Sequence, residues 1–232
     1  MKIALIQANY FPWIGYFAVM SNVDLFLVYE DVQYTKNDYR NRNWLNKKTN
    51  NSQQEKIWLT VPVKHESMTQ KYKDIKLANH LWVDKQIKTL HHMLGKNKNW
   101  ENIHSEVSKL FKNFKEMQYL YEINRAGIEF IRDSLNIKTP IKYIEAYPEC
   151  ESPSSRVAHI IKDHAGDIYL SGPSAKNYII EDDFRKKGIK IEWCDYSKII
   201  AEYTHSQEYA STSLNNPQSI LFDLSYNIKE QK

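Results

Sequence analysis

Residues 4–20 read ALIQANYFPWIGYFAVM, and the parsing of this stretch decides the fold. KIALIQA (2–8) is a short, nearly continuous apolar run, which predicts a strand covered on both faces. GYFAVMSNV (15–23) then predicts a short helix. Between them sit Gln7, Asn9, Tyr10, Pro12, Trp13, Gly15 and Tyr16. In one reading Tyr10, Trp13 and Tyr16 stack on a ring of a ligand while Gln7 and Asn9 bond its edges. In the other, Pro12, Trp13 and Gly15 shape a tight turn and plug the core. The interleaving of polar groups with rings favours the binding floor.

Working outward, DLFLVYEDVQYT (24–35) predicts a second strand that ends in charge. EKIWLTVPV (55–63) predicts a third, closed by Pro62, and the polar LNKKTNNSQQEK (45–56) an exposed loop. From about 80 to 136 the period becomes helical. Leu81, Ile87, Leu90 and Leu94 form one stripe, and Val107, Leu110 and Phe111, then Ile123, Ile128, Ile131 and Leu135, form others. Strands are expected again at PIKYIEAY (140–147), DIYLSG (167–172) and IKIEWCDY (189–196). Helices are expected at SSRVAHIIKDHAG (154–166), closed by Gly166, and at SAKNYIIEDDFRKKG (174–188). Strand and helix alternating through short turns predict an α/β fold: a mostly parallel sheet with flanking helices and a helical insertion in mid-chain. The expected organisation is one domain over residues 1–232.

The chain has 232 residues, 42% hydrophobic and 13% aromatic, which suffices for a sizeable core. A formal charge of +4 falls short of the strongly basic footprint of a dedicated nucleic-acid domain and suits a small anionic ligand as well as RNA. Cys150 and Cys194 form no metal or disulfide framework and predict a reducing compartment. MKIALIQANYFPW does not read as a signal peptide, and no apolar run reaches membrane-spanning length. A cytoplasmic protein with no membrane contact is the expectation.

In open α/β sheets ligands gather at the carboxyl ends of strands. Three stretches fall there: QANYFPWIGY (7–16), EDVQYTKNDYRNRNW (30–44) and LSGPSAKNY (170–178). The second alternates Glu30, Asp31, Gln33, Lys36, Asn41, Arg42 and Asn43 with Tyr34, Tyr39 and Trp44, the mixture a base, a sugar and a phosphate need together. A solvated hairpin is the plainer reading. The third sets Ser171, Gly172 and Ser174 ahead of a predicted helix, where backbone N–H groups and the helix dipole favour an anion, or where Ser174 simply caps the helix. No Walker loop, G-x-G-x-x-G or G-x-S-x-G is present. His159 and His164, five apart, cannot share a helix face, so no metal site is expected. His65 and His205, on expected loops, suit acid–base work better than His91 and His92 beside a core stripe. Cys150 reads as an ordinary loop thiol and Cys194 as a buried strand thiol.

IQANYFPWIGYF (6–17), DLFLVYEDVQYTKNDYRNRNWL (24–45), IWLTVPV (57–63), DIYLSGPSAKNY (167–178) and SILFDLSYN (219–227), in that order, resemble the WbqC-like family, found among bacterial genes for O-antigen and other surface polysaccharides. The family's opening reads His-Gln-Pro-x-Tyr-Leu-Pro-Trp. Here Gln7, Tyr10, Pro12 and Trp13 match, while Ile6 and Ala8 stand at the histidine and first proline, so any catalytic histidine must come from elsewhere. The resemblance implies a nucleotide-linked ligand, a dTDP- or UDP-amino sugar. Acyl or aminoacyl transfer onto its amine is the reaction that setting favours. The acyl donor, a thioester or an acyl-adenylate, would be a co-substrate, with no tightly bound cofactor and with an acyl carrier as an allowed partner; a homo-oligomer is equally compatible. In that scheme Asp31 or His205 is the base, Lys36 or Arg42 holds the diphosphate, and a Ser171–Gly172 N–H or the Asn41 amide meets the oxyanion, with Gln33, Asn43, Ser174 and Tyr178 completing the site. The rivals are a glycosyltransferase, an ATP-dependent ligase and a non-catalytic nucleotide or RNA reader built on YTKNDYRNRNWLNKK (34–48), nucleic acid being disfavoured by the charge.

Overall fold

The structure is a computed structural model and describes residues 1–48, 54–96, 98–215 and 218–221. Five parallel strands form one sheet in the order β7-β2-β1-β8-β9: β1 (Lys2–Gln7), β2 (Leu25–Tyr29), β7 (Ile141–Ile144), β8 (Ile168–Ser171) and β9 (Lys190–Trp193). Numbered among themselves, they run 3-2-1-4-5, a doubly wound order that reverses between β1 and β8. The continuous apolar runs are explained by cover on both faces. With a side-chain period of two, Ile3, Leu5, Leu25 and Leu27 pack with Val157, Ile160 and Ile161 of helix α5 (Pro153–Asp163). On the opposite face Phe26 meets Tyr16 of helix α1 (Ile14–Ser21) edge to face at 5.0 Å. Beyond β8 the short helix α6 (Glu181–Arg185) brings Phe184 onto Tyr169, with rings stacked at 5.4 Å.

Helix α5 starts at Ser152, whose hydroxyl accepts the Ser155 N–H, and Pro153 occupies its first turn. It stops in a Schellman motif: Gly166 N–H bonds the Ile161 carbonyl and Ala165 N–H that of Lys162. The left-handed position (φ 59°) belongs to Ala165 rather than to Gly166. Gly166 is required for another reason, since a Cβ there would lie 2.6 Å from Ile161 Cγ2 and 2.9 Å from Ile3 Cδ1. Helices α7 (Tyr196–Thr204) and α8 (Gln207–Asn215) follow β9.

Contacts divide the chain into two compact units: residues 1–7, 15–31 and 137–214, which hold the parallel sheet, and residues 8–14, 32–136 and 215–232. In the second unit, β3 (Arg42–Lys48) and β4 (Gln54–Thr60) form an antiparallel hairpin, and β5 (Val63–Lys64) pairs with β6 (Lys76–Leu77). The third strand expected at 55–63 is therefore half of a hairpin, not a member of the parallel sheet. Most of the loop expected at 45–56 lies in its two strands; residues 49–53 lie outside the described residues. The helical section forms as expected: α2 (Leu81–Leu94), α3 (Lys98–Asn113) and α4 (Leu120–Ser134).

That unit's core is aromatic. Phe11 stacks on Phe111 at 5.7 Å, and Trp82 on Phe114 at 5.9 Å. Phe11 takes a left-handed backbone (φ 42°), uncommon for a side chain of that size. Gly127 of α4 makes room for its ring, since a Cβ there would sit 3.4 Å away.

Candidate functional site

Strand β1 pairs with β2 from Ile3–Leu25 to Gln7–Tyr29, but with β8 only at Lys2–Ile168 and Ile3–Tyr169. Strand β8 meanwhile stays paired with β9 to Ser171–Trp193. The two central strands thus part toward their carboxyl ends, where the strand order reverses and such sheets bind ligands. Gln7 ends β1, Ser171 ends β8, and Gly172 follows it. Gly172 admits the Tyr196 hydroxyl, which would lie 3.0 Å from a Cβ at that position. Ser171 hydrogen-bonds Tyr169, and Tyr178, half exposed, is close enough to influence the Tyr169 hydroxyl. Burial pushes the Tyr196 hydroxyl up to about 12 and keeps it a neutral donor at ordinary pH.

The helix expected from Ser174 does not form. Residues Pro173–Asn177 make a 3-10 turn without a side-chain cap, and only Glu181–Arg185 is α-helical. Ser174 is exposed and caps nothing. The turn is held from outside: Ser154 of α5 accepts the Ile180 N–H at 2.8 Å. No helix dipole therefore supports an anion at Ser171–Ser174, and what the segment offers is hydroxyls.

Asp31 follows β2 at the same sheet edge and is 3% exposed. Its carboxylate accepts the Tyr147 N–H at 2.9 Å and pairs with Arg156. The Arg156 guanidinium also donates to the Tyr147 carbonyl at 2.5 Å and lies 5.8 Å from the Tyr29 ring centroid. Tyr147 in turn donates its hydroxyl to Asp163, and burial followed by that carboxylate pushes its ionisation well above the usual tyrosine value. This network fixes the loop after β7. It places Asp31 as the partner of a cation, not as a carboxylate open to a substrate amine.

Against this loop lies a cleft of about 460 Å³ whose lining includes Cys150, Ser155, His159, Asp183 and Lys186. Cys150 Sγ is 4.0 Å from His159 Nδ1. The same nitrogen is 2.8 Å from the Ser155 carbonyl and 3.3 Å from the Ser155 hydroxyl. The carbonyl accepts only, so Nδ1 carries the ring proton of neutral His159 and Nε2 is left as its basic nitrogen. Sequence spacing gave no sign of this pair, because its partners lie on different elements, a loop and a helix.

The second unit uses its candidate residues differently. Tyr10, 1% exposed, donates its hydroxyl to Gln86 at 2.7 Å, and Gln86 donates to the Thr60 carbonyl at 2.9 Å. Asn43 donates to the Phe11 carbonyl at 2.8 Å and accepts the Trp44 N–H, while Asn41 donates to the Val61 carbonyl at 3.0 Å. Asn124 joins the Arg40 carbonyl to the Tyr72 hydroxyl. A ring stacks on a ligand only with an open face, and neither Tyr10 nor Tyr16 (3% exposed) has one. Both are core side chains, whereas Gln7, Asn9 and Trp13, the last named in the core-plugging reading, remain partly exposed.

Arg42 stacks 4.4 Å over the half-exposed Trp58 and donates to the Asn37 carbonyl at 2.6 Å. Lys36 and Gln33 are exposed, Gln33 bonded to the Met68 carbonyl. His65 tilts against Tyr34 at 5.3 Å. His205 terminates α7 with a left-handed backbone (φ 55°). Arg156, Tyr147, Tyr196 and Trp58 are the residues the sequence did not mark.

Among the described residues, no group of three or more His, Cys, Asp and Glu side chains is placed to hold a metal ion, and no helix is long and apolar enough to cross a membrane. The model of the WbqC-like protein family matches residues 7–212. The chain is 31% identical over 196 residues to an uncharacterized protein, Rv1507c, of Mycobacterium tuberculosis, spanning 84% of this chain and 82% of that one. No solved structure matches.

Proposed function

The chain belongs to the WbqC-like protein family, and from that premise we propose that it transfers an acyl or aminoacyl group to the amine of a nucleotide-linked amino sugar in bacterial surface-polysaccharide synthesis. The observation that supports this reading is the parting of β1 and β8 at the reversal of strand order, with Gln7, Ser171 and Gly172 on its lips. Small residues and neutral hydroxyls there suit a sugar or a diphosphate oxygen, which needs donors at close approach. A dTDP- or UDP-amino sugar is the ligand, and a thioester or acyl-adenylate is the donor. Asp31 acts by holding Arg156 and the 147 loop, as a positioning residue rather than the base.

A thermal-shift screen tests the reading. A ligand that binds only the native state raises the melting temperature, by an amount that grows with its concentration over Kd. The expected result is a rise specific to one amino-sugar nucleotide, reduced in Gly172→Val, whose side chain would crowd the Tyr196 hydroxyl. A rise with short RNA alone, or with ATP alone, contradicts it.

A further inference from the structure

Apart from the group-transfer reading, we infer that the outward face of the β3–β4 hairpin is a stacking platform for single-stranded nucleic acid. Three observations converge. Two large rings lie open there: Trp58 is 44% and Tyr39 43% exposed, with centroids 6.5 Å apart and planes tilted by 36°. Tilted rather than stacked, neither ring closes off the other. Strand alternation then groups the pairs Arg42–Thr60, Trp44–Trp58 and Asn46–Lys56 on this face, while the opposite face buries Asn43, Leu45 and Leu59. The outward pairs carry two cations and no carboxylate, and neither Arg42 nor Lys56 is in an ion pair among the described residues. The cations are also held in place. The Arg42 guanidinium lies 4.4 Å over the Trp58 ring and donates to the Asn37 carbonyl at 2.6 Å. The Lys56 ammonium lies 4.2 Å over Trp44.

Fixed cations and rings spare a ligand part of the ordering cost of binding. Tyr39 is anchored as well, since its carbonyl accepts the Tyr10 N–H at 2.9 Å. Open rings beside cations that no acid neutralises select an anion carrying flat rings of its own. A single strand supplies both, because each unpaired base offers a π-face to Trp58 or Tyr39 and each phosphate a charge to Arg42 or Lys56. A duplex hides its base faces, and an acidic glycan matches the charge but has no π-face. The formal charge of +4 agrees with this platform, which needs two phosphate contacts and not a broadly basic surface.

The full chain is titrated into fluorescein-labelled hexauridylate and binding is followed by anisotropy. The expected result is saturable binding whose log affinity falls with log salt at a slope of about −1.4, the value for two phosphates on a single strand. Trp58→Ala should weaken binding by about tenfold or more, the loss of one stacked base, while Trp58→Phe should retain most of it. Arg42→Gln should bring the salt slope to about −0.7. Melting temperatures confirm that each variant is folded. A duplex of the same length should bind more weakly. No anisotropy change up to about 0.1 mM protein at low salt overturns the platform. So does an affinity unchanged in Trp58→Ala, equal binding of the duplex, or binding of polygalacturonate that hexauridylate cannot displace. Gly172→Val should leave hexauridylate binding unchanged, which separates this face from the amino-sugar site. If hexauridylate binds and no amino-sugar nucleotide does, the platform stands and the group-transfer reading falls. If only the amino-sugar nucleotide binds, the reading stands and the platform falls.

Discussion

The two units differ in how they use buried polarity. The unit holding residues 32–136 buries Arg40, ion-paired with Asp38, but relies chiefly on neutral amides: Asn41, Asn43, Gln86 and Asn124 each donate to a main-chain carbonyl, those of Val61, Phe11, Thr60 and Arg40. The unit holding the parallel sheet buries a charge pair, Asp31 with Arg156, and sets titratable and nucleophilic groups beside it in an open cleft. An amide meets both donors and acceptors at little desolvation cost, so it clamps irregular backbone such as the Phe11 turn. A charge is costlier to bury and responds to protons and ligands. The contrast teaches that, in this chain, a polar residue among rings is scaffold where its amide meets main chain, and chemistry where it lines space.

The comparison breaks most visibly at Asp31. Asp31→Ala leaves a largely buried guanidinium unpaired and should cost about 3–5 kcal/mol in urea unfolding. A loss below about 1 kcal/mol would make the pair peripheral. A double-mutant cycle with Arg156→Met separates the pairing from the cost of each residue.

Asn43→Ala should cost about 1–3 kcal/mol by stranding the Phe11 carbonyl and the Trp44 N–H. Ligand-induced melting shifts in the folded protein should stay unchanged. A lost shift at unchanged stability would turn that amide from scaffold into binding residue.

Alkali sharpens the contrast, because tyrosines raised by burial are more numerous in the sheet unit. Tyr29, Tyr169, Tyr178, Tyr196 and Tyr203 all ionise above the usual value, Tyr196 and Tyr203 at about 12. A hydroxyl that holds its proton more tightly folded than unfolded contributes stability that is complete below the unfolded value of about 10 and is lost as pH rises through the folded one. The melting temperature should therefore fall steadily between pH 10 and about 12. A flat profile over that range would contradict the burial of these hydroxyls.

The end of α5 carries a pair of effects, one of them the smallest. Gly166→Ala should destabilise by about 1–3 kcal/mol through overpacking against Ile161 and Ile3. The neighbouring Ala165→Gly should stabilise by about 0.5–1 kcal/mol, because it relieves a left-handed alanine. Opposite signs at adjacent residues, read by chemical denaturation, check the helix-end geometry.

The parallel sheet and the three long helices were legible because their signals are local: continuous apolar runs for β1 and β2, and a helical stripe for α2 to α4. Segment 174–188 misled because its helical composition is overridden at a distance, by the Ser154 hydroxyl bonded to Ile180. Strand β3 (RNWLNKK) looked like loop because its buried apolar residues are confined to Trp44 and Leu45. In the candidate site, Ser171 and Gly172 were marked correctly as strand-end residues. Asp31 was marked without its partner, since Arg156 lies 125 residues away. Cys150 and His159, nine apart across a loop and a helix start, match no periodic pattern and needed coordinates to meet.

The most direct test of group transfer is to incubate the protein with a dTDP- or UDP-amino sugar and an acyl thioester, and to follow the sugar nucleotide by mass spectrometry. The account predicts a product heavier by one acyl group, with the sugar–diphosphate bond intact. Release of free nucleoside diphosphate without an acylated sugar nucleotide would contradict it and identify glycosyl transfer instead.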